Sequence, residues 1–119
     1  MPLRVLVADD SAVVRVALAR RLRLAGLDVA LAATTAEAKA VDATALDLAV
    51  LDFDLGDGWG DEIAAALRAV RPDLPIAFFT SSPPTETEAR LRPYGPTFAK
   101  PEAMDEVVAW ALRAAKDDA

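Results

Sequence analysis

Residues 47–52 read Asp47-Leu48-Ala49-Val50-Leu51-Asp52, four consecutive apolar residues between two carboxylates. A short apolar run without alternation is the pattern of a strand buried on both faces. A parallel sheet covered by helices on both sides buries strands in that way. Outward from this run, four other segments read as strands: residues 3–8, apolar apart from Arg4, and residues 27–33, 76–80 and 97–100. Helical segments fall between them. Residues 12–25 carry Val13, Val16, Ala17, Arg20 and Leu24 at helical spacing, and Gly26 stands where a glycine stops a helix. A second helix is expected from a cap at Thr34 or Thr35, with Glu37 in its first turn, to about Thr44. Others are expected over 61–70, closed by Arg71-Pro72, over 83–92, with prolines in the first turn, and over 101–116. Residues 52–60, with three glycines, read as a loop, and so does the short stretch 81–84. Strand and helix alternate five times. That order predicts an α/β fold, a (βα)5 doubly wound five-stranded parallel sheet, as a single domain over residues 1–119.

Composition narrows the chemistry. Of 119 residues, 54% are hydrophobic and 27% charged, which suits a packed domain. The chain has no cysteine and no histidine, which excludes disulfides, thiolate and imidazole metal sites, and Ser-His-Asp catalysis. Any acid–base or metal chemistry falls to carboxylates, lysine or hydroxyls. Net charge is −6, made up of +3 over residues 1–26, −6 over 27–60 and −3 over 61–119. An acidic chain predicts no direct nucleic-acid partner. No apolar run is long enough to span a membrane, and the start MPLRVLVADD enters a strand pattern directly, without a signal-peptide plan. A cytoplasmic location is expected.

In an open parallel sheet the site lies at the carboxyl ends of the strands. The first strand ends in Asp9-Asp10, the third in Asp52, the fourth in Thr80 and the fifth in Lys100. Asp9 or Asp10 alone would serve as a helix cap, and Thr80 or Lys100 alone would be unremarkable. Together they place carboxylates, a hydroxyl and an ammonium at one edge. Carboxylates that converge repel each other, so something positive must neutralise them or one must stay protonated. An all-oxygen set suits Mg²⁺, which binds through one or two carboxylates, water and phosphate oxygens. Metal, ammonium and hydroxyl would together hold a transferring phosphoryl group. The nucleophile would be a carboxylate, giving an aspartyl phosphate, and Asp52 is the best placed because the third strand should be central.

The set Asp9-Asp10, Asp52, Thr80 and Lys100-Pro101, in this order and spacing, resembles the receiver domain of two-component response regulators across essentially the whole chain. The resemblance implies the CheY-like, flavodoxin-like receiver fold. It also implies that Asp52 accepts a phosphoryl group from a histidine kinase or histidine phosphotransfer protein. Asp10 would bind Mg²⁺ directly, Asp9 mostly through water, and Asp52 and the backbone carbonyl of Asp54 would complete the metal set. Lys100 would contact the phosphoryl oxygens, and the Lys100–Pro101 peptide bond is commonly cis in the family. Thr80 would couple the site to the face formed by the fourth helix, fifth strand and fifth helix. Self-phosphorylation from a phosphodonor and autodephosphorylation would be its only chemistry. Output would be contact with an unknown protein, with a homodimer through that same face as one form. Three positions depart from the family pattern. Thr97 stands where many members carry an aromatic switch residue, Gly56 where proline is common, and Asp54 adds a carboxylate beside the acceptor.

Two alternatives stay open on sequence. Residues 50–54 also resemble the DxD motif of haloacid-dehalogenase-like phosphatases, with Asp52 as nucleophile and Asp54 as general acid. Chain order opposes this, since that family places its last acidic pair after the lysine. A receiver-like binding module that is never phosphorylated is the second, although all five positions are present. Trp110 and Val107 read as core. Trp59, in the glycine-rich loop, reads as either packing or partner contact.

Overall fold

The computed structural model describes residues 2–81 and 84–118. Five strands alternate with five helices. They are β1 (Arg4–Ala8), α1 (Ala12–Leu24), β2 (Asp28–Ala32), α2 (Thr35–Lys39), β3 (Leu48–Leu51), α3 (Gly60–Val70), β4 (Ile76–Thr80), α4 (Pro84–Leu91), β5 (Thr97–Ala99) and α5 (Met104–Asp118). The named strands pair in parallel, in the order β2-β1-β3-β4-β5, so β3 is central as expected.

Alternation along the strands divides the core in two. Leu6, Ala8, Leu51 and Phe78 face one layer with Ile63 and Leu67 of α3 and Leu91 of α4. Val5, Val7, Val50 and Phe79 face the other, with Leu18 and Leu22 of α1 and Val107 and Ala111 of α5. Each large aliphatic or aromatic side chain buried here contributes roughly 1.5–3 kcal/mol. Trp110 is partly buried against the second layer, which matches its expected place in the core.

Three local differences have physical causes. The second helix is shorter than the expected span to Thr44. It ends at Lys39, and a 3₁₀ turn follows over Ala43–Ala45, because the Asp42 carboxylate accepts from both the backbone N–H (3.0 Å) and the hydroxyl (2.7 Å) of Thr44. The stripe Val13, Val16 and Leu24 lies on the outer face of α1, at 80%, 61% and 76% exposure, while Leu18, Ala19 and Leu22 supply the core face. The last helix begins at Met104 rather than at residue 101. The expected stop of α1 holds: Gly26 has φ +96°, a conformation that a Cβ disfavours. The expected start of the fourth helix at Pro83 and the loop residue Ser82 lie outside the described residues.

Candidate functional site

Register brings the strand ends level. Ala8 pairs with Leu51, and Leu51 with Phe78, so Asp9 and Asp52 each stand one residue beyond a paired position. The Asp52 N–H donates to the Ala8 carbonyl at 2.8 Å, and the Lys100 N–H to the Thr80 carbonyl at 3.0 Å. These backbone bonds fix the four side chains on the rigid part of the molecule.

Asp9 and Asp52 are buried, Asp10 is exposed and Thr80 is buried. Lys100 reaches over both buried carboxylates, with Nζ 2.7 Å from Asp9 Oδ2 and 3.2 Å from Asp52 Oδ2. The remaining Asp9 oxygen, Oδ1, accepts from the Ser11 N–H at 2.9 Å. Asp52 Oδ1 accepts from the Phe53 N–H at 2.8 Å. The Asp9 backbone carbonyl accepts from Arg15 Nη1 at 2.7 Å. Ser11, and neither aspartate, caps α1, its hydroxyl accepting from the Val14 N–H at 3.3 Å.

One oxygen from each of Asp9, Asp10 and Asp52 lies within 4.8 Å of the others. The cleft they edge has a volume of about 440 Å³ and is lined by Asp10, Asp52, Asp54, Thr80, Ser81 and Lys100, among others. Three carboxylates against one ammonium leave a local excess of two negative charges. An oxygen-only set with that excess fits a hard divalent cation such as Mg²⁺. Burial pushes the Asp52 carboxyl above its ordinary value, the Asp9 charge adds to the rise, and Lys100 offsets part of it. Burial alone would lower the Lys100 ammonium. The Asp9 hydrogen bond and the Asp52 charge outweigh it and raise Lys100 above its ordinary value.

Other members of the middle acidic segment have separate roles. The Asp54 side chain is exposed at the cleft rim, and its Oδ1 accepts from the Gly56 N–H at 3.0 Å rather than joining the three-carboxylate cluster. Asp57 turns away to α2, where it accepts from the N–H groups of Thr35 (2.9 Å) and Ala36 (3.3 Å). The bond to the Thr35 backbone holds its carboxyl below the ordinary value. Trp59 is 41% exposed and at the same time stacked on Phe53, with ring centroids 5.0 Å apart.

Sequence reasoning missed Arg15, whose contact depends on α1 folding back over β1. It also missed the requirement for Gly60. A Cβ there would sit 2.1 Å from the Asp52 carbonyl oxygen, so α3 can start against the end of β3 only without a side chain. The Lys100–Pro101 peptide bond is cis, as the family resemblance implied. The ring of Phe98 packs with the α1–α5 layer, while position 97 is a half-buried threonine.

A doubly wound sheet of this order, carrying an acidic cleft and a lysine at its carboxyl edge, defines a flavodoxin-like α/β protein with the receiver arrangement. Residues 5–110 match the family model of the response regulator receiver domain. The chain belongs to that family and is a signalling module of two-component systems rather than a classical enzyme. The non-phosphorylated HemR receiver domain from Leptospira biflexa is 28% identical, covers 95% of this chain and 94% of that one, and superposes with a TM-score of 0.85. A CheY-like receiver domain protein from Methanospirillum hungatei shares the fold, with 20% identity, 99% and 97% coverage and a TM-score of 0.86. The transcriptional regulatory protein PrrA of Mycobacterium tuberculosis is 38% identical over 79 residues, which is 66% of this chain and 34% of that protein. The match therefore spans about a third of the curated relative's length.

Proposed function

We propose that Asp52 is a phosphoacceptor that takes a phosphoryl group from a phosphohistidine of a histidine kinase or phosphotransfer protein. The observation that carries this reading is the placement of Lys100 across two buried carboxylates at the mouth of an open cleft. An Asp52 oxygen attacks phosphorus, the P–N bond breaks, and the imidazole leaves with its electron pair. The product is an acyl phosphate. Lys100 then turns from Asp52 toward the phosphoryl oxygens, and the Thr80 hydroxyl donates to one of them. Asp9, Asp10 and Asp52 would hold Mg²⁺, together with the Asp54 carbonyl, and Mg²⁺ when bound neutralises the charge on the transferring group. Asp54 supports a phosphatase role poorly, because its carboxylate lies on the rim and bonds to its own loop.

The donor must cover the cleft mouth to reach Asp52. Beside that mouth, the outer face of α1 offers a groove of about 670 Å³ lined by Val13, Val16, Leu24, Arg20 and Arg21, among others. An apolar stripe flanked by arginines fits a helical donor domain with an acidic border. Thr80 at the head of the β4–α4 connection would carry the response to the α4-β5-α5 face, where an output protein or a second copy docks. The setting is cytoplasmic, and no described helix is long and apolar enough to cross a membrane.

The test is intact mass after incubation with acetyl phosphate and Mg²⁺. One phosphoryl group is expected, lost on chelation and in Asp52→Asn. Turnover of generic phosphate esters without a stable adduct would favour the phosphatase alternative.

A further inference from the structure

Phe53, Trp59, Asp61 and Arg90 join three elements on the α3–α4 side of the sheet. The Arg90 guanidinium stands with Cζ 4.9 Å from the Phe53 ring centroid and 5.7 Å from that of Trp59. The same group grips Asp61 in the first turn of α3. Nη2 donates to both carboxylate oxygens at 2.9 Å, and Nε to Oδ2 at 3.2 Å. Arg90 occupies the last turn of α4. An unbroken series of contacts thus leads from Asp52 Oδ1, through the Phe53 N–H, to the Phe53 ring and on to the end of α4.

Its two ends respond to the same event. In a carboxylate both oxygens share the negative charge. In an acyl phosphate the oxygen left on carbon is a neutral carbonyl, so the bond from the Phe53 N–H loses its charge assistance. Meanwhile α4 starts at Pro84, four residues after Thr80, so a shift of Thr80 toward the phosphoryl group pulls on the opposite end of that helix. Position 97 holds threonine, and the Phe98 ring belongs to the α1–α5 layer, while the Phe53 and Trp59 rings hold Arg90 of this helix.

The geometry points to a latch: Arg90, clasped by Asp61 and the Phe53–Trp59 stack, holds α4 in its unphosphorylated position, and phosphorylation of Asp52 releases it, baring Trp59. This rests on the reading of Asp52 as phosphoacceptor. Cation–π contacts and exposed ion pairs are each worth a few-fold in an equilibrium, so releasing the clasp should shift the α4 population about fivefold.

The chain has two tryptophans, and a Trp110→Phe background leaves Trp59 as the reporter. Acrylamide quenching of its emission is measured with intact mass on the same samples. Acetyl phosphate with Mg²⁺ should increase quenching as the phosphoryl adduct appears. Arg90→Ala and, independently, Asp61→Asn should show the increased quenching without phosphodonor, with circular dichroism confirming the fold. Both should take up the phosphoryl group about fivefold faster, because the released form is already populated. Full phosphorylation by mass with unchanged Trp59 quenching overturns the latch and leaves the phosphoacceptor reading intact. Parental rates and quenching in both variants overturn it too. Absence of any adduct removes the phosphoacceptor reading and the latch together.

Discussion

Replacing Lys100 by methionine keeps an unbranched side chain of similar length and removes the ammonium that bridges Asp9 and Asp52. Side-chain exposure is 12% for Lys100, 4% for Asp9 and 8% for Asp52, so the loss leaves two carboxylates almost dry and unpaired. Breaking a buried pair by deleting one partner costs about 3–5 kcal/mol, and the open cleft argues for the lower end, about 3 kcal/mol. With 119 residues, the unfolding entropy is about 0.25 kcal/mol/K, so Tm should fall by about 12 °C at neutral pH in chelator. Two further consequences separate this cause from a packing defect. Mg²⁺ should stabilise Lys100→Met more than the parent, because a cation replaces the missing charge. The deficit should also shrink as pH falls through the carboxylate range, since burial and Asp9 already favour protonation of Asp52. Differential scanning calorimetry with and without Mg²⁺, at several pH values, measures all three. A variant that melts with the parent in chelator, or gains no more than the parent from Mg²⁺, refutes the reasoning.

Asp52→Asn should melt above the parent at pH 7 without metal. The folded-state pKa of Asp52 is raised, so its charge costs stability at neutral pH, and the advantage should vanish as pH drops below the ordinary value of 3.8. Asp57→Ala should behave oppositely. Its folded pKa is lowered, so the parent's advantage is present above 3.8 and disappears as pH falls through the folded value, followed by thermal melts with phosphorylation unaffected. Gly60→Ala forces a Cβ against the Asp52 carbonyl and should cost about 3 kcal/mol or more in urea unfolding, whereas a substitution at exposed Ala65 should not. Val13→Asp should slow phosphotransfer from a donor protein about tenfold while leaving the rate with acetyl phosphate unchanged, read as phosphorylated fraction against time.

The middle of the sheet was legible because β3 and β4 are buried on both sides and so carry unbroken apolar runs, as in 48–51 and 76–79. The convergence of Asp9, Asp52 and Lys100 followed from topology, since a parallel sheet delivers strand ends to one edge and β3 lies at its centre. Helix faces were harder to read. On α1 the apolar residues surround the helix, and alanine contributes to both faces, so Val13, Val16 and Leu24 gave the right period without revealing that they point outward. The end of α2 was hidden because Asp42 wins the local competition for Thr44, and an alanine-rich segment carries no other stop signal. The separate fates of Asp52, Asp54 and Asp57 depend on the path of a loop. A charge count over 27–60 cannot distinguish a buried carboxylate, a rim carboxylate and one bonded to the first turn of α2. Arg90 could not be linked to Phe53 from sequence, as the two are brought together only when α4 packs beside α3.

The most direct test of the central claim locates the modification. The protein is treated with acetyl phosphate and Mg²⁺, the acyl phosphate is reduced with borohydride, and the resulting homoserine is mapped by peptide mass spectrometry. Conversion is expected at Asp52 alone and is abolished by chelation. Conversion at Asp9, Asp10 or Asp54 instead, or no Mg²⁺-dependent conversion in folded protein, would contradict it.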